Sequence, residues 1–518
     1  MHENFARGAS AAFVFIMIAA VSGCTASKPL TRAAFPKIAP EQIETEKFVP
    51  LDRSHVPPMF SELLPIDLPT VFKVASAENL DIQQARVRVE AARGKLQSSI
   101  GGAFPVFAPT ALFEQVDGTV RATKGDLLSV DFKTFQPYML AQWVINPGKV
   151  YHDIVAARKR VLASRYQERA ILQQTLRMAI IQYYELVLAQ SRVAAVYQAL
   201  AQSQELQRIT QSRAREGAGL AADELRAQAE LAGREQDLIV VLRGFYDASV
   251  ALALTLRLES MVTLVPSAER MAQTTLVRTE MPIEDLLALA LEHRDDLHAA
   301  RTLVVAARNE KKSTWWGGLG ASTQVGVQSG GILGQAHNVK GSGVEHFDLE
   351  PQDRLNASAR WKLGLFTFGE LKNSKAAEQQ AYIEAERKLD LAKAEVVRAM
   401  QDGRSYASLI EKSNQQLKAA DEAVRLSGAN LRAGTMTVLD VLTSQTTLAS
   451  ARLRHYESIV RYNQAQVNLL AALGMVREDS VFPTPPEKLT IQQGHTEPAG
   501  VTAGVQHNAG ISAGLPED

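Results

Sequence analysis

Residues 215–232, REGAGLAADELRAQAELA, and residues 432–449, RAGTMTVLDVLTSQTTLA, share seven identities at a constant offset of 217 residues. A second pair of stretches, ASAENLDIQQARVRVEAAR at 75–93 and ALEHRDDLHAARTLVVAAR at 290–308, matches at an offset of 215 residues. A period of this length is too long for a solenoid repeat. The two collinear matches therefore predict two similar structural halves that lie side by side.

Each half shows the same order of patterns. A helix with an Ala-rich seam is predicted at 68–98 and again at 283–314, and each is followed by Gly/Pro breaks and two alternating segments. A very long helix follows, at 149–214 and 370–432, and then a short Gly-containing turn and another long helix. At ~1.5 Å per residue the longest helices would reach ~90–100 Å, so they must pack side by side as rods.

The alternating segments are typical of transmembrane β-strands. One face is predicted to contain Tyr138, Leu140, Gln142 and Val144. Another segment alternates an apolar set with a polar set: Leu355, Ala357, Ala359, Trp361 and Leu363 against Asn356, Ser358, Arg360 and Lys362. This is the apolar-out, polar-in pattern of a barrel strand with a watery lumen. A third segment continues the pattern through Leu319, Ala321, Thr323, Val325 and Val327, after a Trp315–Trp316 pair suited to the membrane interface.

Segments of about 9–11 residues fit tilted membrane-spanning strands. Four strands per chain cannot close a pore, because about eight is the smallest usual number. The pattern therefore predicts a barrel shared among subunits, while strands of a soluble sheet remain the alternative.

The N-terminus reads as an export signal with a lipid attachment site. Arg7 precedes the apolar run 11–21, which is shorter than the ~20 residues that a spanning helix needs. The run ends in Val21-Ser22-Gly23-Cys24, which resembles the lipobox of bacterial lipoproteins, so Cys24 is the predicted lipidation site. The alternative is an unused thiol in a cleaved peptide. Cys24 is the only cysteine, so the fold contains no disulfide.

Charge balance and the context of short motifs argue against several classes of function. The 56 basic and 56 acidic residues give no net charge to attract nucleic acid. The stretch 510–514, GISAG, formally fits a nucleophile elbow, but it lies in a Pro/Gly-rich tail with no strand before it and no helix after it. The ten histidines include no HExxH arrangement, and no phosphate-binding Gly-Lys-Ser/Thr occurs in the Gly-rich stretch 317–343. We therefore expect no enzyme activity, no cofactor and no metal site.

The second copy of the opening motif carries a family resemblance. The stretch 432–442, followed by Gln445 and by AALG at 471–474, resembles the TolC family of outer-membrane efflux proteins, and the likeness extends over 68–474. The resemblance implies a homotrimer with a twelve-stranded β-barrel in the outer membrane and an α-helical tunnel in the periplasm. The fold class is thus mainly α with transmembrane β. The lipid-anchored branch of the family would carry palmitate or another acyl group on the N-terminal Cys24.

The resemblance also implies roles for the turns between the long helices. Gly217 and Gly434 would take the left-handed conformation at the periplasmic tip, where a periplasmic adaptor and an inner-membrane pump of the RND or ABC type dock. By the family pattern Asp440, with Asp223 in the first half, lines the tunnel entrance as a cation-selecting carboxylate ring. Two positions depart from that pattern. Thr443 stands where a second acidic residue can occur, and Met436 stands where a basic residue can close the tip.

Asp440 also has a purely structural interpretation, as a first-turn carboxylate that stabilises the last helix. Both roles can coexist, and the sequence leaves the choice open.

These patterns divide the chain into five parts. They are a signal peptide 1–23, an extended arm 24–67, a first channel repeat 68–280, a second channel repeat 281–482 and a disordered tail 483–518. The expected function is the passive outer-membrane duct of a tripartite efflux or type I secretion system. The alternative is a lipid-anchored periplasmic adaptor or coiled-coil scaffold, which would carry one helical hairpin flanked by compact β modules.

Overall fold

The computed structural model follows the mainly helical order that the sequence predicts. It describes residues 41–43, 63–121, 125, 127–217, 219–258, 262–267, 272–278, 281–337, 345–361 and 365–477. The predicted signal peptide, Cys24, the strand positions Lys362 and Leu363, and the tail 483–518 lie outside these residues.

The order helix, helix, strand, strand, long helix, helix occurs twice. The first half contains α1 (Leu68–Glu78), α2 (Leu80–Gly101), β3 (Val106–Arg121), β4 (Leu127–Ile145), α3 (Pro147–Arg215) and α4 (Ala221–Leu256). The second half contains α5 (Ile283–His293), α6 (Asp295–Leu319), β7 (Ser322–His337), β8 (Glu345–Arg360), α7 (Leu365–Arg432) and α8 (Val438–Ala472). Four short strands complete the described elements: β1 (Glu41–Ile43), β2 (Leu63–Ile66), β5 (Thr263–Pro266) and β6 (Gln273–Thr275). β2 pairs in parallel with β5, and β1 pairs antiparallel with β6.

The first helix of each half is broken once, where the sequence predicted a continuous helix. Asn79 separates α1 from α2, and Arg294 separates α5 from α6, at equivalent positions of the two halves. Both residues have extended backbone, with ψ of 134° and 111°. The Asn79 Oδ1 accepts a hydrogen bond from Asp81 N at 2.8 Å and so begins the second helix. The Ala-rich pattern continues across the break, so the sequence did not indicate that the helix is interrupted there.

Arg294 fixes the second break to the helices beside it. Its guanidinium pairs with both Asp296 oxygens at 3.0 and 2.7 Å and with Glu395 of α7 at 2.6 Å. Burial opposes ionisation of Asp296, but the hydrogen bonds and charge of Arg294 prevail and hold the pKa of this carboxyl below its usual value. The ion pairs thereby connect the α5–α6 break with the long helix α7.

The long helices α3 and α7 contain 69 and 68 residues, slightly more than predicted. α3 packs against α4, and α7 packs against α8, so each half forms an antiparallel helical hairpin. The main core lies part-way along these rods. There α3, the end of α4, α5, β5 and the end of α8 bury one another's apolar side chains, for example Ile180, Phe245 and Leu469. Burial of each such side chain contributes about 1.5–3 kcal/mol.

Buried polar residues of α8 hold the segment that connects the two halves. The Gln466 Oε1 accepts hydrogen bonds from Leu276 N at 3.1 Å and from Val277 N at 2.9 Å. The Asn463 side chain bonds the backbone of Ala272 and Thr274, each at 2.8 Å. Buried backbone groups need such partners. The connecting segment therefore lies against α8 in one fixed position.

β3, β4, β7 and β8 form one antiparallel sheet in that order. They contain 16, 19, 16 and 16 residues, so the predicted length of about 9–11 residues was too short. The hairpin ladders continue beyond the length that a bilayer core requires. The prediction that Leu319 and Ala321 belong to the strand was also wrong. Gly320 N donates to Trp316 O at 2.9 Å, which continues the helical pattern and places Leu319 at the end of α6.

Candidate functional site

The four-stranded sheet has one largely apolar face. Cross-strand partners lie on the same face of a sheet, so the register assigns every residue to a face. Phe107, Ala141, Val327 and Leu355 form one such row across all four strands. Further odd-numbered positions form an apolar band on this face: Pro109, Ala111, Phe113, Phe135, Pro137, Met139, Trp143, Ile145, Thr323, Val325, Ser329, Leu333, Pro351, Asp353, Ala357 and Ala359. Asp353 is the charged member of this band, and beyond Phe113 and Phe135 the same face carries the charged residues Asp117, Arg121 and Lys133.

The opposite face is largely polar. The predicted set Tyr138, Leu140, Gln142 and Val144 does share a face, and the register places it beside polar residues of the neighbouring strands. The polar members of this face are Thr110, Glu114, Thr134, Gln136, Tyr138, Gln142, Ser322, Gln324, Gln328, Gln352, Arg354, Asn356, Ser358 and Arg360. An apolar face opposed to a hydrated face is the arrangement of a membrane barrel wall.

Two glycines make room on the polar face. A Cβ at Gly326 would overlap the Asn356 side chain, and a Cβ at Gly330 would overlap Tyr138 and the Pro137 carbonyl. Close cross-strand packing at these points therefore requires glycine. The sequence showed a Gly-rich stretch here but could not show which neighbours occupy the space.

The sheet is open at both edges within the described residues. β3 pairs only with β4, and β8 pairs only with β7, so both outer strands keep unpaired backbone groups. Such groups are costly in a membrane, where no water can replace the missing partner. In a membrane, a sheet of this kind would need further strands at both edges.

Exposed aromatic side chains collect where the sheet joins the helices. We refer to them as the junction aromatics: Phe104, Phe107, Trp315, Trp316, Trp361, Phe366 and Phe368. They come from the ends of α2, α6 and β8 and from the starts of β3 and α7. Trp and other aromatic residues are enriched at the boundary between hydrocarbon and water. Trp316 and Trp315 are in the last turns of a helix, not in a strand.

Asn146 joins α3 to α6 at this junction. Its side chain accepts a hydrogen bond from Lys149 N at 3.0 Å and so begins α3, while its amide donates to Trp316 O at 2.7 Å. The Trp316 indole lies directly over Gly148, where a Cβ would overlap the ring. Asn146 and Gly148 thus fix the orientation of β4 relative to α3 and α6.

The other end of the molecule contains the two turns between long helices. Gly217 has a φ of 71° and Gly434 a φ of 76°, values that favour glycine. Asp223 lies in the first turn of α4 and pairs with Arg226 at 3.1 Å.

Asp440 forms a capping box with Thr437 at the start of α8. Thr437 N and Oγ1 donate to Asp440 Oδ2 at 3.2 and 2.6 Å, and Asp440 N donates to Thr437 Oγ1 at 3.3 Å. This reciprocal pairing satisfies two amides that the helix leaves free. The equivalent N-cap of α4 is Leu220, which makes no side-chain cap. The carboxylate of Asp440 nevertheless remains exposed.

Arg213 connects the two turns. Its guanidinium donates to the Leu431 carbonyl in the last turn of α7 at 2.9 Å. A crevice of about 370 Å³ lies beside this bond, and Asp223 and Met436 line it. Thr443 is exposed and bonds its own helix through Leu439 O at 2.9 Å. Sequence reasoning missed Arg213, although a basic residue in the last turn of a helix was a usable signal.

Comparison with known proteins identifies the architecture. The outer membrane protein VceC of Vibrio cholerae is 18% identical with a TM-score of 0.68, over 79% of this chain and 96% of that chain. The outer-membrane channel OprN is 19% identical with a TM-score of 0.69, over 88% and 99%. The CmeC outer membrane channel of Campylobacter jejuni is 14% identical with a TM-score of 0.68, over 86% and 97%. No protein-family model and no curated protein matches the sequence significantly.

The chain has the outer-membrane channel fold. The resemblance to the TolC family is thereby confirmed at the level of the fold. In the channel fold the four-stranded sheet and the tip are at opposite ends of the long helices, as the lengths of α3 and α7 require. Among the described residues, no group of three His, Cys, Asp or Glu side chains is placed to hold a metal ion.

Proposed function

We propose that three copies of this chain form a passive export duct. The single observation that carries the proposal is the open sheet, which has one apolar face, one polar face and two unpaired edges. Three copies would contribute twelve strands and close both edges of every sheet. The junction aromatics would lie at the inner surface of the outer membrane, and the long helices would cross the periplasm.

The three-copy arrangement also suggests the partners of the duct. Cys24 would carry the lipid that holds the N-terminus at the outer membrane. A periplasmic adaptor and an inner-membrane pump of the RND or ABC type would meet the tip at Gly217 and Gly434 and supply the energy, in an efflux or type I secretion system. The duct itself would carry out no catalysis. The two helical hairpins with strands between them favour this function over an adaptor or scaffold, which needs one hairpin.

Planar-bilayer recording of the purified full-length protein tests the duct. We expect stepwise ion conductance from a species whose mass in detergent corresponds to three chains. A folded trimer without conductance would contradict the proposal, and so would a folded protein that remains monomeric at all concentrations.

The tip provides a separate test of Asp440. Three copies of this exposed carboxylate would attract cations at the entrance, so Asp440→Asn should lower the cation preference of the conductance. The variant also loses the charge of the capping box, so the thermal stability of α8 is monitored in parallel. Unchanged cation preference would assign Asp440 to helix capping alone.

A further inference from the structure

The polar face of the sheet carries an uneven distribution of charge. Arg354 and Arg360 both lie on β8, in rows where their direct partners on β7 are Gln328 and Ser322. The remaining described polar side chains of this face are uncharged except Glu114 on β3. The register also places Glu350 in a row of this face, four residues or about 13 Å along β8 from Arg354, so the two arginines stand apart from the acidic positions.

Neither arginine is paired with another described side chain. No ion pair or side-chain hydrogen bond joins Arg354 or Arg360 to another described residue, and both side chains are exposed. Glu114 lies six residues along β3 from Ala108, the position that shares a row with Arg354. At ~3.3 Å per residue this separates the two rows by about 20 Å along the strands.

The two arginines lie at different depths of the sheet. They are six residues apart on β8, which again corresponds to about 20 Å along the strand. Arg360 lies at the end that joins the helices, and Arg354 lies nearer the middle of the apolar band on the opposite face. Between them are Asn356 and Ser358, with Gln324 on the neighbouring strand.

We propose that Arg354 and Arg360 form two cationic rings in the barrel lumen that favour the passage of anionic solutes. This inference rests on the proposed three-copy duct, which turns each arginine into a ring of three. Rings of arginine or lysine select anions in pores. The substrate class is therefore solutes with an anionic group, such as carboxylates or phosphates.

The dimensions of the barrel permit this selection. Twelve strands about 4.8 Å apart and tilted by about 40° give a radius of about 12 Å to the backbone. Side chains narrow the lumen further, so its centre lies at a distance from the guanidinium groups comparable to the Debye length of about 8 Å. The field of each ring therefore extends across the lumen at physiological ionic strength.

Reversal potentials in a KCl gradient test the rings. The variants are Arg354→Gln/Arg360→Gln, the charge-conserving Arg354→Lys/Arg360→Lys, and Lys133→Gln. Lys133 provides the control, because it lies on the opposite face of the same sheet and also loses a positive charge, one per chain against two in the double Gln variant. Removing a lumen potential of about 1 kT per unit charge changes the anion-to-cation permeability ratio about sevenfold, since the two ions respond in opposite directions.

We expect the ratio to fall severalfold in the double Gln variant and to stay at the wild-type value in the Lys and Lys133→Gln variants. The measurement is repeated in an Asp440→Asn background, because the tip lies in series with the barrel. A fall in the permeability ratio in the Asp440→Asn background would show that the anion preference originates in the barrel. Normal conductance with an unchanged ratio in both backgrounds would overturn the inference and leave the duct intact. Absence of conductance in the wild-type trimer would overturn both.

Discussion

At the residue scale, a few small or capping residues decide how helices meet strands. Asn146 begins α3 and at the same time bonds the end of α6, and Gly148 admits the Trp316 indole. Two further glycines at the tip have positive φ. None of these residues contributes much apolar burial. Their effect is geometric, because each permits one backbone direction and excludes others.

Gly148→Ala should destabilise the junction. The added Cβ would overlap Trp316, so the indole or the helix must move, at a cost of about 1–3 kcal/mol. The free energy of unfolding in urea measures this loss.

Gly233→Ala is the matched control for Gly148→Ala. Gly233 lies inside α4 with open space where a Cβ would be, so alanine at this position should raise the free energy of unfolding by about 0.5–1 kcal/mol. Equal effects of the two substitutions would contradict the proposed contact with Trp316.

His455 makes the stability depend on pH. It lies buried between α7 and α8, where Ser413 Oγ contacts its Nδ1 at 3.0 Å. Burial lowers the pKa of the imidazole below its usual value of 6.5. Between the folded-state pKa and about 6.5 the unfolded chain therefore binds a proton that the folded chain does not, so stability falls as pH falls through this window.

The wild-type protein should lose stability below about pH 6.5 relative to His455→Gln, by at most about 1.4 kcal/mol per pH unit for one proton. Chemical denaturation at several pH values between 5 and 8 measures the slope. Parallel pH profiles for the two proteins would show that His455 does not contribute.

At the element scale, the sheet has two different faces because apolar and polar residues alternate along each strand and one register aligns the strands. A shift of one residue would exchange the faces completely. The junction aromatics mark one end of the apolar band, and Phe113 and Phe135 lie opposite each other toward its other end. Two residues farther along, Gln115 and Lys133 are paired and polar, so the band ends there.

Met139→Lys should impair insertion of the protein into membranes. Met139 lies in the middle row of the apolar face, and if that face contacts lipid, as proposed, a lysine there costs about 2–4 kcal/mol. Gln136→Lys is the control, since this residue lies on the polar face of the same strand and should be tolerated. The fraction of folded protein recovered in lipid vesicles reports the difference. Equal recovery of both variants would contradict the assignment of the faces.

At the scale of the whole molecule, the chain leaves surfaces that one copy cannot cover. The sheet has two open edges, and α4 exposes apolar side chains at Leu225, Ile239, Val240 and Leu254. Part of α4 is apolar enough to cross a membrane by length and composition alone, yet the helix packs along α3. Association of copies would bury both kinds of surface at once.

Ile239→Glu/Val240→Glu should weaken the assembly. Each buried aliphatic side chain contributes about 1.5–3 kcal/mol, so the double substitution should move the proposed trimer toward monomer at a given concentration. Ile239→Leu/Val240→Leu keeps the surface apolar and should leave the assembly intact. Analytical ultracentrifugation in detergent distinguishes the two outcomes. Unchanged assembly of the Glu variant would exclude this part of α4 from the interface.

Much of the architecture was predictable from periodicity. The match between 215–232 and 432–449 predicted two helical hairpins, and the apolar spacing of three and four residues predicted α3 and α7 to within about five residues. The alternation through Leu355 and Ala357 correctly separated an apolar side of β8 from a polar side. These features are local, because each depends only on which residues follow one another along the chain.

The remaining features needed the tertiary structure. Sequence could not decide that Asn79 and Arg294 interrupt their helices, that the strands extend to 16 or more residues, or that Leu319 belongs to α6. It left Asp440 open between capping and lining, and the structure adds its pairing with Thr437. Each of these depends on partners that are distant in sequence or on backbone geometry at one residue. The sequence by itself determined the elements and their order. Packing decided where each element ends and which face it presents, because only contacts between elements distinguish conformations of similar local energy.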